Sequence, residues 1–200
     1  MDEIVREAMA RWPNVPAVFG WLQLDRHGRW QIKGEPITNA VVNTFICRNY
    51  LSDDEGRWYF QNGPQRVFVE LEYTPLVYRL WRNIDGTLVA EAHTGEPLAE
   101  PVNCWLDDEG GALIEGEQGV GCVESQSLAV LETAFCDSKG QPLAEHVLYD
   151  LLAGNASALA TARLNFGDTM LRVGFVKVSD VAARFGFKPA PQPAPGQGSC

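Results

Sequence analysis

The chain has 200 residues, of which 46% are hydrophobic and 21% charged, and its formal net charge is −10. A chain of this length builds a sizeable core without staples, as one domain or as two small ones. Its acidity argues against nucleic acid and against an anionic membrane surface as partners.

The opening residues place Ile4, Val5, Ala8, Met9 and Trp12 at helical spacing. Pro13 and Pro16 end that helix, so residues 1–17 read as a helix and linker. The segment has neither the basic nor the apolar region of a signal peptide, and no apolar run reaches the ~20 residues of a membrane span. The expected location is the cytoplasm. Val18 to Leu24 reads as a strand, followed by a turn at residues 25–28 and a second strand through Trp30 and Ile32. Thr38 or Asn39 caps a helix to about Tyr50, whose apolar face is Val41, Val42, Phe45 and Ile46, with Phe45 in the core. From Gly56 to about Trp105 the pattern is mostly β, with turn signals at Asn62-Gly63 and Asp85-Gly86. A second helix carries Val147, Leu148, Leu151 and Leu152 on one face and stops at Gly154. Two late strands flank Gly167-Asp168, and a short helix starts near Ser179 or Asp180. From residue 188 the tail KPAPQPAPGQGSC has the composition of a disordered segment.

A short repeat runs through this pattern. Residues 25–35 and 107–117 share Asp, Gly, Ile, Gly and Glu at matched positions, and the Asp-x-x-Gly element recurs at residues 53–56 and 137–140. Its physical content is a hairpin turn, with Gly at positive φ and Asp bonding its own backbone.

Chemical signatures are sparse. The acidic runs Asp53-Asp-Glu55 and Asp107-Asp-Glu109 are followed at once by Gly, which suits solvated turns and not a calcium loop. Glu70 and Glu72 share one strand face and are read as a solvent-facing pair. Cys47, Cys104, Cys122, Cys136 and Cys200 lack the close pairing of a zinc site and read as reduced thiols. There is no Gly-x-Ser-x-Gly, no Walker motif and no Gly-x-Gly-x-x-Gly. His93 reads as a half-buried strand histidine. No catalytic residue, metal or cofactor is assigned. The densest recognition chemistry is Tyr73, Tyr78, Arg79, Trp81 and Arg82, residue types that join a broad contact face to a polar group. These five are the expected ligand-binding residues, on a surface between the two halves. The plainer reading has Leu76, Tyr78 and Leu80 facing the core, with Arg79 and Trp81 on the surface.

The order Asp25-x-x-Gly28-x-Trp30, Gly34-x-Pro36-Ile37, a helix, then Asp54-x-Gly56-Arg57-Trp58 resembles an uncharacterised proteobacterial family of unknown function. Val69-Glu70, Pro75 and Val77 follow the family's next motif, although Tyr stands for its Asp. Thr94-Gly95-Glu96 and residues 146–152 resemble its later segments. The resemblance implies an α+β fold of two similar halves and a role in signal transduction or ligand sensing, with no catalytic residues to carry over.

The resulting expectation is a strand-rich α+β protein with short helices and two structurally related subdomains, residues 18–98 and 99–187, followed by a disordered tail at 188–200. The leading function is a non-enzymatic cytoplasmic binding or regulatory module whose partner is a small molecule or a protein. The alternatives are an enzyme with an acid–base site between the subdomains, built on His93 or Glu70, and a protein-interaction scaffold.

Overall fold

A computed structural model shows a chain that divides into two compact units, Met1–Pro75 with Gly186–Cys200, and Leu76–Phe185. The structure describes residues 1–13 and 15–193.

The first unit opens with α1 (Glu3–Arg11), of which Val5 is buried while Ile4 and Trp12 are exposed. Its sheet comprises β1 (Val18–Leu24), β2 (Trp30–Ile32), β3 (Glu35–Pro36), β4 (Tyr50–Ser52), β5 (Trp58–Asn62) and β6 (Gln65–Leu71). The spatial order is β3-β2-β1-β6-β5-β4, with β1 and β6 parallel and the other neighbours antiparallel. Between β3 and β4 runs α2 (Ala40–Arg48), capped by Asn39, whose side chain accepts the N–H groups of Val41 and Val42. That cap satisfies two of the donors every helix start leaves open.

The second unit contains β7 (Leu76–Arg82), β8 (Leu88–Ala92), β9 (Asn103–Asp107), β10 (Ala112–Gly116), β11 (Gly119–Val123), α3 (Leu128–Glu132), β12 (Phe135–Cys136), α4 (Glu145–Leu152), α5 (Ala156–Thr161), β13 (Arg163–Phe166), β14 (Thr169–Val176) and α6 (Val181–Phe185). Its strand order is β12-β13-β14-β9-β10-β11-β7-β8. Read from β11 to β12, this is the first sheet again, with β9 and β14 forming the central parallel pair as β1 and β6 do. The second copy carries additions. The helices α4 and α5 interrupt the connection from β12 to β13, and the hairpin β7–β8 extends the sheet by pairing parallel to β11. The two units are thus structurally related α+β sheets.

The Asp-x-x-Gly turns have one geometry in both copies. The side chains of Asp25, Asp53, Asp107 and Asp137 each accept backbone N–H groups two and four residues on. In each turn the Gly N–H donates back to the Asp carbonyl. Gly28, Gly56, Gly110 and Gly140 all have positive φ, between 74° and 81°. A three-residue hairpin loop closed in this way needs a left-handed residue that Gly adopts without a Cβ penalty.

The division into two units falls after Pro75. Leu76, Val77 and Tyr78 register against Gly121, Cys122 and Val123, so the hairpin β7–β8 belongs to the second sheet. The segment expected as a tail from residue 188 is described as far as Pro193. The Lys188 N–H donates to the Gly56 carbonyl at 2.9 Å, and the Leu71 N–H donates to the Pro189 carbonyl at 2.8 Å. Pro191 is buried. Proline lacks a donor but keeps its acceptor, so a Pro-rich strand can still satisfy a neighbouring N–H. Residues 194–200, including Cys200, lie outside the described residues.

Phe45 is not the core residue of α2. It is half-exposed, with its ring edge-on to Phe60 at 5.4 Å, whereas Ile46 is buried and Val41 and Val42 are exposed. The apolar face of α2 is therefore only partly covered by the sheet.

Candidate functional site

That partial cover leaves a groove of about 430 Å³ between α2 and the sheet of the first unit. Register builds its floor. Val18, Val67 and Phe60 stand side by side across β1, β6 and β5, and Leu22 stands beside Ile32 across β1 and β2. Val42 and Ile46 of α2 form the opposite wall. Trp21 also lines the groove, next to Leu22 in sequence. Regular alternation sends consecutive strand residues to opposite faces. A register shift between Val18 and Leu22, with Gly20 at φ 71°, breaks that alternation. Such a bulge re-aims a side chain. Trp21, Ile32 and Val42 remain 45%, 46% and 40% exposed. The polar lining residues are Asn62 and Gln65, and none is ionisable.

The other face of the same sheet carries a cavity of about 400 Å³, where Gln23, Asp25, Gln31, Glu70 and Glu72 stand among Leu24, Leu71, Pro189 and Ala190. Its carboxylates are engaged within the protein. Gln23 Nε2 donates to Glu70 Oε2 at 2.9 Å, and Arg29 Nε donates to Asp25 Oδ2 at 2.6 Å. The backbone N–H of Arg26 donates to Glu72 Oε2 at 3.1 Å. Burial pushes the Asp25 carboxyl up, but the Arg29 and His27 N–H groups and the Arg29 guanidinium outweigh it and hold the pKa below 3.8. Glu70 and Glu72 do share a face, as expected, in a network that partners them internally.

Of the five residues expected to bind a ligand, Tyr78, Arg79, Trp81 and Arg82 lie on β7, and Tyr73 precedes that strand. Tyr73 is buried in the first unit, with the Arg26 guanidinium 4.5 Å from its ring centroid. Tyr78 is fully buried in the second unit, where Gly121 leaves room for its ring. Its hydroxyl has no hydrogen-bond partner among the described residues, and burial pushes the phenol pKa up. Arg79 and Trp81 lie exposed on β7, and Arg79 pairs with Glu124 at 3.2 Å. Arg82 is exposed and donates to the Gly86 carbonyl and to Thr133 Oγ1. His93 accepts the Val77 N–H at Nδ1, at 3.3 Å.

Cys104 and Cys136 are free thiols, and Trp30 Nε1 donates to Cys47 Sγ at 3.3 Å. Burial pushes the Cys104 thiol up to about 12, which keeps it protonated and inert. Among the described residues, no group of His, Cys, Asp and Glu side chains is placed to hold a metal ion. No helix among them is long and apolar enough to cross a membrane.

The fold and groove define an α+β protein made of two related sheet units, the first with an open apolar groove. The family model DUF2944, described as "Protein of unknown function (DUF2946)", matches residues 1–192, and the chain belongs to that family. A DUF1285 family protein from Silicibacter pomeroyi DSS-3 is similar in fold, with a TM-score of 0.54 and 14% identity over 88% of this chain and 97% of that one. A DUF1285 family protein from Shewanella baltica OS155 matches with a TM-score of 0.40 and 16% identity over 52% of this chain and 84% of that one. No curated protein matches. The resemblance to a proteobacterial family of unknown function therefore holds.

Proposed function

We propose that the first unit is a binding module that takes one small apolar molecule in the groove between α2 and the sheet. The observation that carries this reading is the exposure of Trp21, Ile32 and Val42 around a groove floored by Leu22, Phe60 and Val67. A concave, mostly apolar site with few polar groups is the usual form of a small-molecule pocket. Covering that surface is favourable by roughly 25 cal/mol per Å² of apolar area removed from water. The lining has no ionisable side chain, which suits binding and gives acid–base chemistry no group to act through. A ligand touching Val42 and Ile46 couples occupancy to the position of α2, and this is the form a regulatory or ligand-sensing role would take.

Titration with Nile red, an uncharged apolar dye, tests the reading. The native protein should bind it saturably at one site. Val42→Trp changes an exposed position and fills the groove, so binding should weaken at least about tenfold while the unfolding midpoint stays close to the native value. Equal binding by the variant, or no saturable binding by the native protein, contradicts the proposal.

A further inference from the structure

We infer that the ligand of this groove is an amphipathic acid, with an apolar body between α2 and the sheet and a single carboxylate on Lys33. The inference rests on the reading of the groove as a binding site. Because the lining holds no ionisable side chain, a charged ligand must find its counter-charge at the rim. At the Trp21 end that group is Lys33. Its backbone N–H donates to the Trp21 carbonyl at 3.0 Å, and its Nζ lies 3.8 Å from the Trp21 ring centroid. The ring contact holds the ammonium against Trp21, a residue of the groove lining, and the ring covers one side of a group that has three donors.

The backbone supports the same assignment. Lys33 and Gly34 form the two-residue turn between β2 and β3, with φ of 51° and 83°. Asn or Gly takes the first of these positions at lower conformational cost, so the turn itself does not call for lysine. The net charge of −10 provides no long-range attraction for an anion, so a preference for carboxylate depends on this local cation. Glu35 is exposed on the same hairpin, opposite Ile32. It disfavours a second negative charge and points to a monocarboxylate over a dicarboxylate.

Calorimetric titration of the native protein with octanoate and with 1-octanol at neutral pH tests this. Octanoate should bind about three- to fivefold more tightly than the alcohol, the scale of an exposed ion pair. High salt should narrow the difference. Lys33→Met, which keeps the aliphatic stem, should bring the ratio to about one, and Lys33→Arg should retain the preference. If the native protein binds both equally, or Lys33→Met keeps the preference, the inference is wrong while the groove still binds. If neither compound binds the native protein, both the inference and the groove reading fail.

Discussion

The carbonyl of Gly186 occupies the space that a β-carbon on Gly56 would take, in a turn where Gly56 has a φ of 74°. One residue of a hairpin turn and one residue just past α6 are thereby locked together, and Lys188 donates to the carbonyl of that same Gly56. Gly56→Ala introduces both a disfavoured backbone conformation and a clash with backbone atoms that cannot rotate away. We expect a loss of about 2 kcal/mol or more in urea unfolding. A change under about 0.5 kcal/mol would show that the two segments separate without cost.

Removal of residues 189–200 tests the same region from the other side. It deprives the Leu71 N–H of the Pro189 carbonyl, on a buried residue of the central strand β6. An unsatisfied buried donor costs about 1–3 kcal/mol. For a chain of this size that lowers the melting temperature by about 2–4 °C per kcal/mol. An unchanged melting temperature would mean that the segment lies on the surface without supporting it.

Acid sensitivity should follow from the Asp turns. For Asp53, burial acts upward, but the Arg57 side chain and N–H, aided by the Glu55 N–H, outweigh it and hold the carboxyl below 3.8, as happens at Asp25. A carboxyl depressed in the folded state stabilises the fold at any pH above its unfolded value. As pH falls below about 4, the unfolded chain takes up the proton first and that stability is lost towards the lower folded value. Urea unfolding across a pH series should show this loss, and Asp53→Asn should reduce the slope. Stability that rises on acidification through that window contradicts the assignment.

Gly20 should matter to the groove more than to the fold. Its positive φ makes the bulge that puts Trp21 and Leu22 in the same lining. Gly20→Ala should cost about 1 kcal/mol and weaken Nile red binding several-fold by turning Trp21 away. Binding at native strength would show that the bulge does not shape the groove.

Local chemistry was the part of this structure that the sequence made readable. The Asn39 cap, the strand from Val18 to Leu24 and the turns at Asp25, Asp53, Asp107 and Asp137 each depend on residues within a few positions of one another. Features set by distant pairing were not readable in the same way. The boundary at Pro75 follows from β7 pairing with β11, which no local pattern encodes. Val41, Val42 and Phe45 carry helical apolar spacing, yet that spacing does not reveal how far the sheet covers the helix. Asn155 starts α5 one residue after the Gly154 stop by accepting the Ser157 N–H, so one expected helix is followed at once by a second. The groove did have a sequence signal, a glycine inside the strand pattern at position 20, which marks a bulge. Aromatic density at residues 73–82 is the more visible signal in the sequence, and the structure buries Tyr73 and Tyr78 there.

The most direct test of the groove reading is an isotope-filtered NOE measurement between 1-octanol and the isoleucine methyl groups of the native protein. An uncharged probe separates occupancy of the groove from any contribution of Lys33. Cross-peaks are expected to Ile32, Ile37 and Ile46, which line the groove, and none to Ile114, which is buried in the second unit. Saturable binding with cross-peaks confined to residues of the second unit, or no cross-peaks to Ile37 and Ile46, would contradict the groove reading.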